Sequence, residues 1–283
     1  MKLTQASMVG LCLLLLATAC KNSTKQFRRV PSSESGVTFK NALTPTAEFN
    51  ILNYMYFYNG GGVAIADFNG DGKSDLYFTA NQESNKLYVN EGGMRFRDVT
   101  ELSGTSGLSG WATGVTTADV NADGRIDIYV SYVGDYLIYK GRNQLFINQG
   151  NDATGAPQFI DATADYGLDL IGFSTQAAFF DYDRDGDLDM FMLTHSLHEV
   201  GTFGRSTMRN TVHPLAGDKL LRNDNGRFVD VTVEAGIYGS ALGYGLGLVV
   251  SDINFDGWPD LYISNDFHEN DYLYMNQGNG KFV

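Results

Sequence analysis

The 283-residue sequence predicts an all-β fold: a β-propeller of four-stranded blades with calcium loops, of which about four blades are present and the last is cut short. Three observations predict it. An Asp-rich nonapeptide recurs four times; strand-like apolar segments recur at matching places around each copy; and 33 glycines, 16 tyrosines and 18 phenylalanines against five prolines suit short strands joined by tight turns. A hydrophobic content of 43% is enough to build a core.

The repeat is D-F-N-G-D-G-K-S-D from Asp67, D-V-N-A-D-G-R-I-D from Asp119, D-Y-D-R-D-G-D-L-D from Asp181 and D-I-N-F-D-G-W-P-D from Asp252. All four obey D-x-[DN]-x-D-G-x-x-D, and their starts lie 52, 62 and 71 residues apart, so the unit grows by insertion. Before each loop comes a short apolar run (G-V-A-I-A, G-V-T-T-A, Q-A-A-F-F, G-L-V-V-S), and after it D-L-Y-F-T, D-I-Y-V-S, D-M-F-M-L or D-L-Y-I-S. A second piece follows (K-L-Y-V-N, Q-L-F-I-N, K-L-L-R-N, Y-L-Y-M-N), then a third (R-F-R-D-V-T, Q-F-I-D-A-T, R-F-V-D-V-T), and the fourth copy reaches K-F-V. Four short strands per unit of roughly 50 residues is blade anatomy. The near-continuous apolar first strand reads as one covered on both faces.

The loops carry the chemistry. Calcium takes six to eight oxygens, and a short turn supplies them when carboxylates or amides alternate along it. Positions 1, 3 and 5 offer side-chain oxygens: Asp67, Asn69 and Asp71; Asp119, Asn121 and Asp123; Asp181, Asp183 and Asp185; Asp252, Asn254 and Asp256. Position 7 offers a backbone carbonyl, from Lys73, Arg125, Asp187 and Trp258, so its side chain is free to vary. Position 9 closes the ring with Asp75, Asp127, Asp189 and Asp260, and glycine at position 6 permits the sharp reversal. About four Ca²⁺ ions are expected, bound most tightly at the third loop, where five acids stand against three in each of the others. An EF-hand is excluded: it needs a Glu at position 12 and flanking helices, whereas Phe78, Val130, Met192 and Ile263 stand there in strands.

These loops, with the G-x-x-x-x-D entry and the L-Y-x-N exit, resemble the FG-GAP/VCBS repeat family, which includes integrin-α propellers, the cartilage acidic protein group and bacterial ASPIC/UnbV-type surface lipoproteins. The likeness spans about 36–283. It implies a propeller with calcium in the blade hairpins, commonly of seven blades, so that this chain reads as a fragment or as closed in another way; no ASPIC/UnbV-type domain follows Val283 in the sequence.

The N-terminus reads as an export signal. Lys2, an apolar run from Val9 to Leu16 and small residues up to Ala19 precede Cys20, too short a stretch to span a bilayer. The order resembles a bacterial lipobox, with cleavage after residue 19 and lipid on Cys20. Residues 20–35 then form a polar tether and 36–283 the blades. Cys12 and Cys20 are the only cysteines, so the mature chain has no disulfide and metal is the expected staple. The expected location is the bacterial outer membrane or cell surface, lipid-anchored.

Loss of Lys2 with the leader takes the net charge from −13 to −14, and four divalent ions would return it to −6. Such a charge repels phosphate backbones and excludes nucleic acid as a partner. The expected function is a non-enzymatic adhesion module for an extracellular protein or glycan. The competing readings are a polysaccharide-active enzyme or catalytic partner, with its site at the propeller axis or in a missing C-terminal region, and a structural spacer. No G-x-S-x-G, P-loop or H-E-x-x-H occurs. Acids and histidines clustered at one central mouth would favour the enzyme; acids confined to the loops favour binding. His195, His198 and Glu199 form a weak zinc candidate; His268, Glu269 and Asp271 read as a polar blade edge, and Trp111 and the tyrosines at 54–58 as packing. The insertion from Gly201 to Gly217 is the expected partner surface.

Overall fold

A computed structural model describes residues 27–196, 213–267 and 269–283. The expected signal, Cys20, His198, Glu199, His268 and most of the 201–217 insertion lie outside the described residues. Among the described residues fifteen strands form four antiparallel sheets in sequence order. Blade 1 holds β1 (Val63–Ala66), β2 (Asp75–Phe78), β3 (Lys86–Gly92) and β4 (Arg95–Asp98). Blade 2 holds β5 (Trp111–Ala118), β6 (Asp127–Val133), β7 (Gln144–Asn151) and β8 (Pro157–Asp161). Blade 3 holds β9 (Ser174–Phe180), β10 (Asp189–Thr194), β11 (Lys219–Asn223) and β12 (Phe228–Asp230). Blade 4 holds β13 (Gly245–Ser251), β14 (Asp260–Asn265) and β15 (Tyr272–Tyr274). In blade 4 the last three residues take the fourth-strand place: Met275 and Val283 exchange backbone hydrogen bonds of 2.9 and 3.1 Å. Helix among the described residues is limited to single turns at Ser32–Ser35, Thr100–Ser103 and Thr163–Tyr166.

The register repeats. Ala66 pairs with Asp75, Ala118 with Asp127, Phe180 with Asp189 and Ser251 with Asp260, so every Asp-rich loop closes the same hairpin at the same rung. The first strands β1, β5, β9 and β13 neighbour one another at the axis. Threonine hydroxyls join neighbouring blades there: Thr79, just after β2, donates to the Thr113 carbonyl at 2.6 Å, Thr113 to Ser174 at 2.7 Å and Thr175 to Gly245 at 3.0 Å. Hydrophobic clusters fill the three blade interfaces, and a fourth, aromatic cluster gathers Phe49, Tyr54, Phe57, Trp111, Phe173 and Tyr244 at one end of the axis. The rings of Trp111, Tyr54 and Tyr56 pack in this cluster, as expected, whereas Tyr58 is exposed.

In the two inner blades the strand buried on both faces is the second, not the first. Every residue of β6 and β10 is buried, while β5, β9 and β13 are partly open because their inner edge borders the axis. Blades 3 and 4 also differ in cover. The cross-strand row Ala178–Phe191–Leu220 puts Phe191 and Leu220 fully inside, against blade 4. The matching row of blade 4, Val249–Tyr262–Leu273, is exposed. The four sheets fan around the axis without closing into a ring.

Candidate metal loops

Each loop folds onto its own side chains. The position-1 carboxylate accepts from the backbone N–H of positions 5 and 6: Asp67 from Asp71 and Gly72 at 3.1 and 2.7 Å, Asp119 from Asp123 and Gly124 at 2.9 and 2.8 Å. Asp252 does the same with Asp256 and Gly257 at 3.1 and 2.9 Å, and Asp181 with Asp185 and Gly186 at 3.2 Å each. Position 5 in turn accepts from the N–H of position 7 in all four loops. Gly72, Gly124, Gly186 and Gly257 have φ of 81, 85, 99 and 90°, as the reversal requires. Position 4 is left-handed as well, with φ of 56° at Ala122, 62° at Arg184 and 63° at Phe255. Sequence reasoning missed this, because only the first loop has glycine there.

The position-9 aspartates are the best-fixed members. Asp75, Asp127, Asp189 and Asp260 have no exposed surface. One oxygen accepts from the N–H of position 2 (Phe68, Val120, Tyr182, Ile253) at 2.9–3.1 Å. The other accepts from the N–H of the exit asparagine (Asn90, Asn148, Asn223, Asn276) at 2.7–2.9 Å. Position 9 therefore locks the hairpin to the third strand, and each oxygen keeps a second lone pair for an ion. Burial pushes Asp127 up to about 6 and Asp189 up to about 7, the surrounding carboxylates adding to the effect.

The loops differ at position 7. Lys73 reaches back to Asp71 at 2.8 Å and Arg125 to Asp123 at 2.6 Å, each cation holding the outer oxygen of the position-5 carboxylate. In the fourth loop Trp258 lies under the Arg184 guanidinium of the neighbouring loop, 4.2 Å from the ring centroid. In the third loop Asp187 replaces the cation. There Asp181, Asp183 and Asp189 each place an oxygen within 4.8 Å of the others. Asp183 Oδ1 and Asp187 Oδ1 are buried without a hydrogen-bond partner. Desolvation and neighbouring carboxylates raise Asp183, and the same causes push Asp187 up to about 6. Crowded carboxylates, orphaned oxygens and an all-oxygen donor set fit a hard divalent cation.

The exit asparagines form a set whose role the sequence did not disclose. Asn148 Nδ2 donates to the Phe68 carbonyl of the first loop at 2.8 Å, and Asn276 Nδ2 to the Tyr182 carbonyl of the third at 2.8 Å, so each ties its blade to the loop before it. The recurrence of Asn at the end of L-Y-x-N was the available signal. His195 is fully buried with both ring nitrogens engaged, Nε2 with Tyr54 Oη at 3.1 Å and Nδ1 with the Ser196 carbonyl at 3.2 Å, so it is not an open zinc ligand. Asp271 accepts from the Asn265 N–H at 2.8 Å and from Tyr262 Oη at 2.5 Å, a structural pairing at the blade edge.

Residues 67–130, which hold the first two loops and strands β2 to β5 between them, match the model of the FG-GAP-like repeat. The chain is similar to cartilage acidic protein 1 of Xenopus tropicalis, 27% identical over 213 residues, which are 74% of this chain and 29% of that protein. Cartilage acidic protein 1 of mouse is 27% identical over 210 residues (73% and 29%), and the human protein 27% over 213 residues (74% and 28%). The chain thus spans less than a third of the length of the curated relatives it matches.

Proposed function

We propose that this chain, which is similar to the FG-GAP-like repeat over residues 67–130, is an exported, lipid-anchored binding module whose propeller blades are stiffened by calcium in four hairpin loops. One observation carries the metal reading: the third loop leaves the Asp183 and Asp187 oxygens buried and unpartnered among three further carboxylates. Residues at positions 1, 3, 5 and 9 would supply side-chain oxygens and position 7 a carbonyl. Bound calcium would cancel the like-charge repulsion and stiffen loops that are otherwise held by backbone donors and a few side-chain ones. Extracellular calcium modules work at about 10⁻⁴–10⁻³ M, which is the affinity expected of loops one to four taken together.

The binding role follows from where charge does and does not lie. Fourteen of the 33 acids sit in the four loops. Acids concentrated in the loops support an adhesion surface for an extracellular protein or glycan over a polysaccharide-active site. Export and lipid on Cys20 rest on the N-terminal sequence alone. Among the described residues no helix is long and apolar enough to cross a membrane.

Calorimetric titration of chelator-treated protein with Ca²⁺, run beside thermal melts with and without ion, tests the proposal. Saturable heat and a rise in Tm of several degrees are expected. An unchanged melt at millimolar Ca²⁺ would sink it. Lipid attachment is tested separately, by mass spectrometry of the N-terminal peptide in the parent and in Cys20→Ala.

A further inference from the structure

The inner strands of the blades surround an open cavity of about 440 Å³ at the axis, on the side away from the metal loops. Its size is within the usual range for small-ligand sites, ~300–1,000 Å³. The floor is a hydrogen-bonded pair. His195 Nδ1 faces the Ser196 carbonyl, which can only accept, so the proton sits on Nδ1 and Nε2 is the acceptor for Tyr54 Oη–H at 3.1 Å. Burial lowers His195 to about 4, which leaves it uncharged at neutral pH.

Tyr56 packs beside this pair, its ring centroid 4.4 Å from that of His195 and only 6% of its surface exposed. Its hydroxyl is buried and has no hydrogen-bond partner among the described residues. A buried hydroxyl is costly to leave unmatched, so a partner beyond the described residues is called for. The threonines of the wall do not compete for that partner, because Thr113 and Thr175 spend their hydroxyl protons on the strand carbonyls of the next blade.

We propose that the axial cavity is a binding site for a neutral saccharide, with the Tyr56 hydroxyl as its central hydrogen-bonding group. None of the described side chains lining the cavity carries a charge. A charged ligand would lose its hydration there with no opposite charge to replace it. The polar groups that remain, the Tyr56 phenol, the Asn59 amide and the Gln176 amide (whose Nε2 also reaches the Val115 carbonyl at 3.5 Å), can each donate and accept, as sugar hydroxyls do. Leu246 and Leu248 supply an apolar wall for the C–H face of a sugar ring. Gly114 lets β5 and β9 approach closely in the wall: a Cβ there would lie 2.0 Å from Gln176 Oε1 and 2.3 Å from the Thr175 carbonyl oxygen. The inference rests on the reading of the chain as a binding module and narrows its ligand class.

The test uses the full calcium-loaded chain with glucose, galactose, mannose, N-acetylglucosamine, cellobiose and lactose as probes, and glucuronate as a charged comparator. Saturation-transfer NMR and calorimetry are the readouts. At least one neutral sugar is expected to bind saturably, glucuronate more weakly than glucose, and Tyr56→Phe to weaken the best sugar at least tenfold with Tm unchanged. Because that substitution removes one oxygen and keeps the ring, it separates lost binding from lost folding. No saturable sugar, equal binding by Tyr56→Phe, or tighter binding of glucuronate would each overturn the proposal. A calcium-dependent Tm with no sugar bound defeats the cavity alone; sugar bound with no calcium effect defeats the metal reading alone.

Discussion

Asn148 Nδ2 donates to the Phe68 carbonyl at 2.8 Å, so the third strand of the second blade is pinned to the Asp-rich loop of the first. The same amide reaches the Ile126 carbonyl at 3.2 Å, and its oxygen accepts from the Gly150 N–H at 2.9 Å. Three backbone groups thus depend on one buried side chain. The Asp-rich loops and the blade interfaces are one mechanical unit, because Asp127 is locked by the N–H of this same asparagine at 2.8 Å.

Asn148→Ala should therefore cost about 2–4 kcal/mol of stability, since it removes the amide and leaves buried carbonyls unmatched. Asn276→Ala should behave alike, because Asn276 bonds the Tyr182 and Pro259 carbonyls. Denaturant melts check both. A loss below about 0.5 kcal/mol in either would show that the staple carries no weight.

Asp218 stands where Asn85 and Asn143 stand in the first two blades, each accepting the backbone N–H at the end of the second strand: Thr194, Ala80 and Tyr132 respectively. Burial pushes Asp218 up to about 7. A carboxyl raised in the folded state stabilises in its neutral form. That contribution is complete below the unfolded value of ~3.9 and is lost as the pH rises through about 7. Asp218→Asn should thus be more stable than the parent at pH 8, by on the order of 2 kcal/mol, and equal to it near pH 4. Melts across that range decide it; a variant less stable than the parent at pH 8 contradicts the assignment.

Calcium should bind the third loop more weakly as the medium turns acid. Asp187 and Asp189 are pushed up to about 6 and about 7, and an ion requires them ionised. In the metal-free chain, folding favours their neutral forms, so that stabilisation is present below the usual carboxyl range and fades as the pH rises through 6 to 7. Added calcium reverses the preference. The calcium-induced rise in Tm should be larger at pH 8 than at pH 5.5, with affinity at pH 6 about tenfold below that at pH 8. Calorimetry at three pH values is the check, and a pH-independent affinity would refute it.

Lys73 and Arg125 hold carboxylates that an ion would need, and the Lys73 hydrogen bond keeps Asp71 below the usual carboxylate range. Lys73→Ala and Arg125→Ala should each tighten calcium at their own loop by roughly two- to fivefold, with less gain at high salt, as exposed pairs are screened. Titration of the single variants reads this directly. Weaker binding would mean that these side chains order the loop rather than compete for it.

The sequence made the hairpins and their strands readable because both are local: turn chemistry needs nine residues, and strand alternation needs few more. Phe78, Val130, Met192 and Ile263 fall in second strands where the spacing placed them. Which strand is covered on both faces was misread from apolarity alone. First and second strands are similarly apolar, and position in the stack decides between them. The left-handed turn at Ala122, Arg184 and Phe255 carries no glycine to announce it.

By itself, then, the sequence determined an all-β repeat chain with oxygen-lined turns at blade intervals, because those features are set by neighbours along the chain. The tertiary structure alone decided the rest. The Asn148–Phe68 staple joins residues 80 positions apart, and the Tyr54–His195 pair at the axis spans 141. The burial that sets Asp189 and Asp218 apart from ordinary carboxylates likewise exists only once sheets stack, since desolvation is a property of packing rather than of any residue alone.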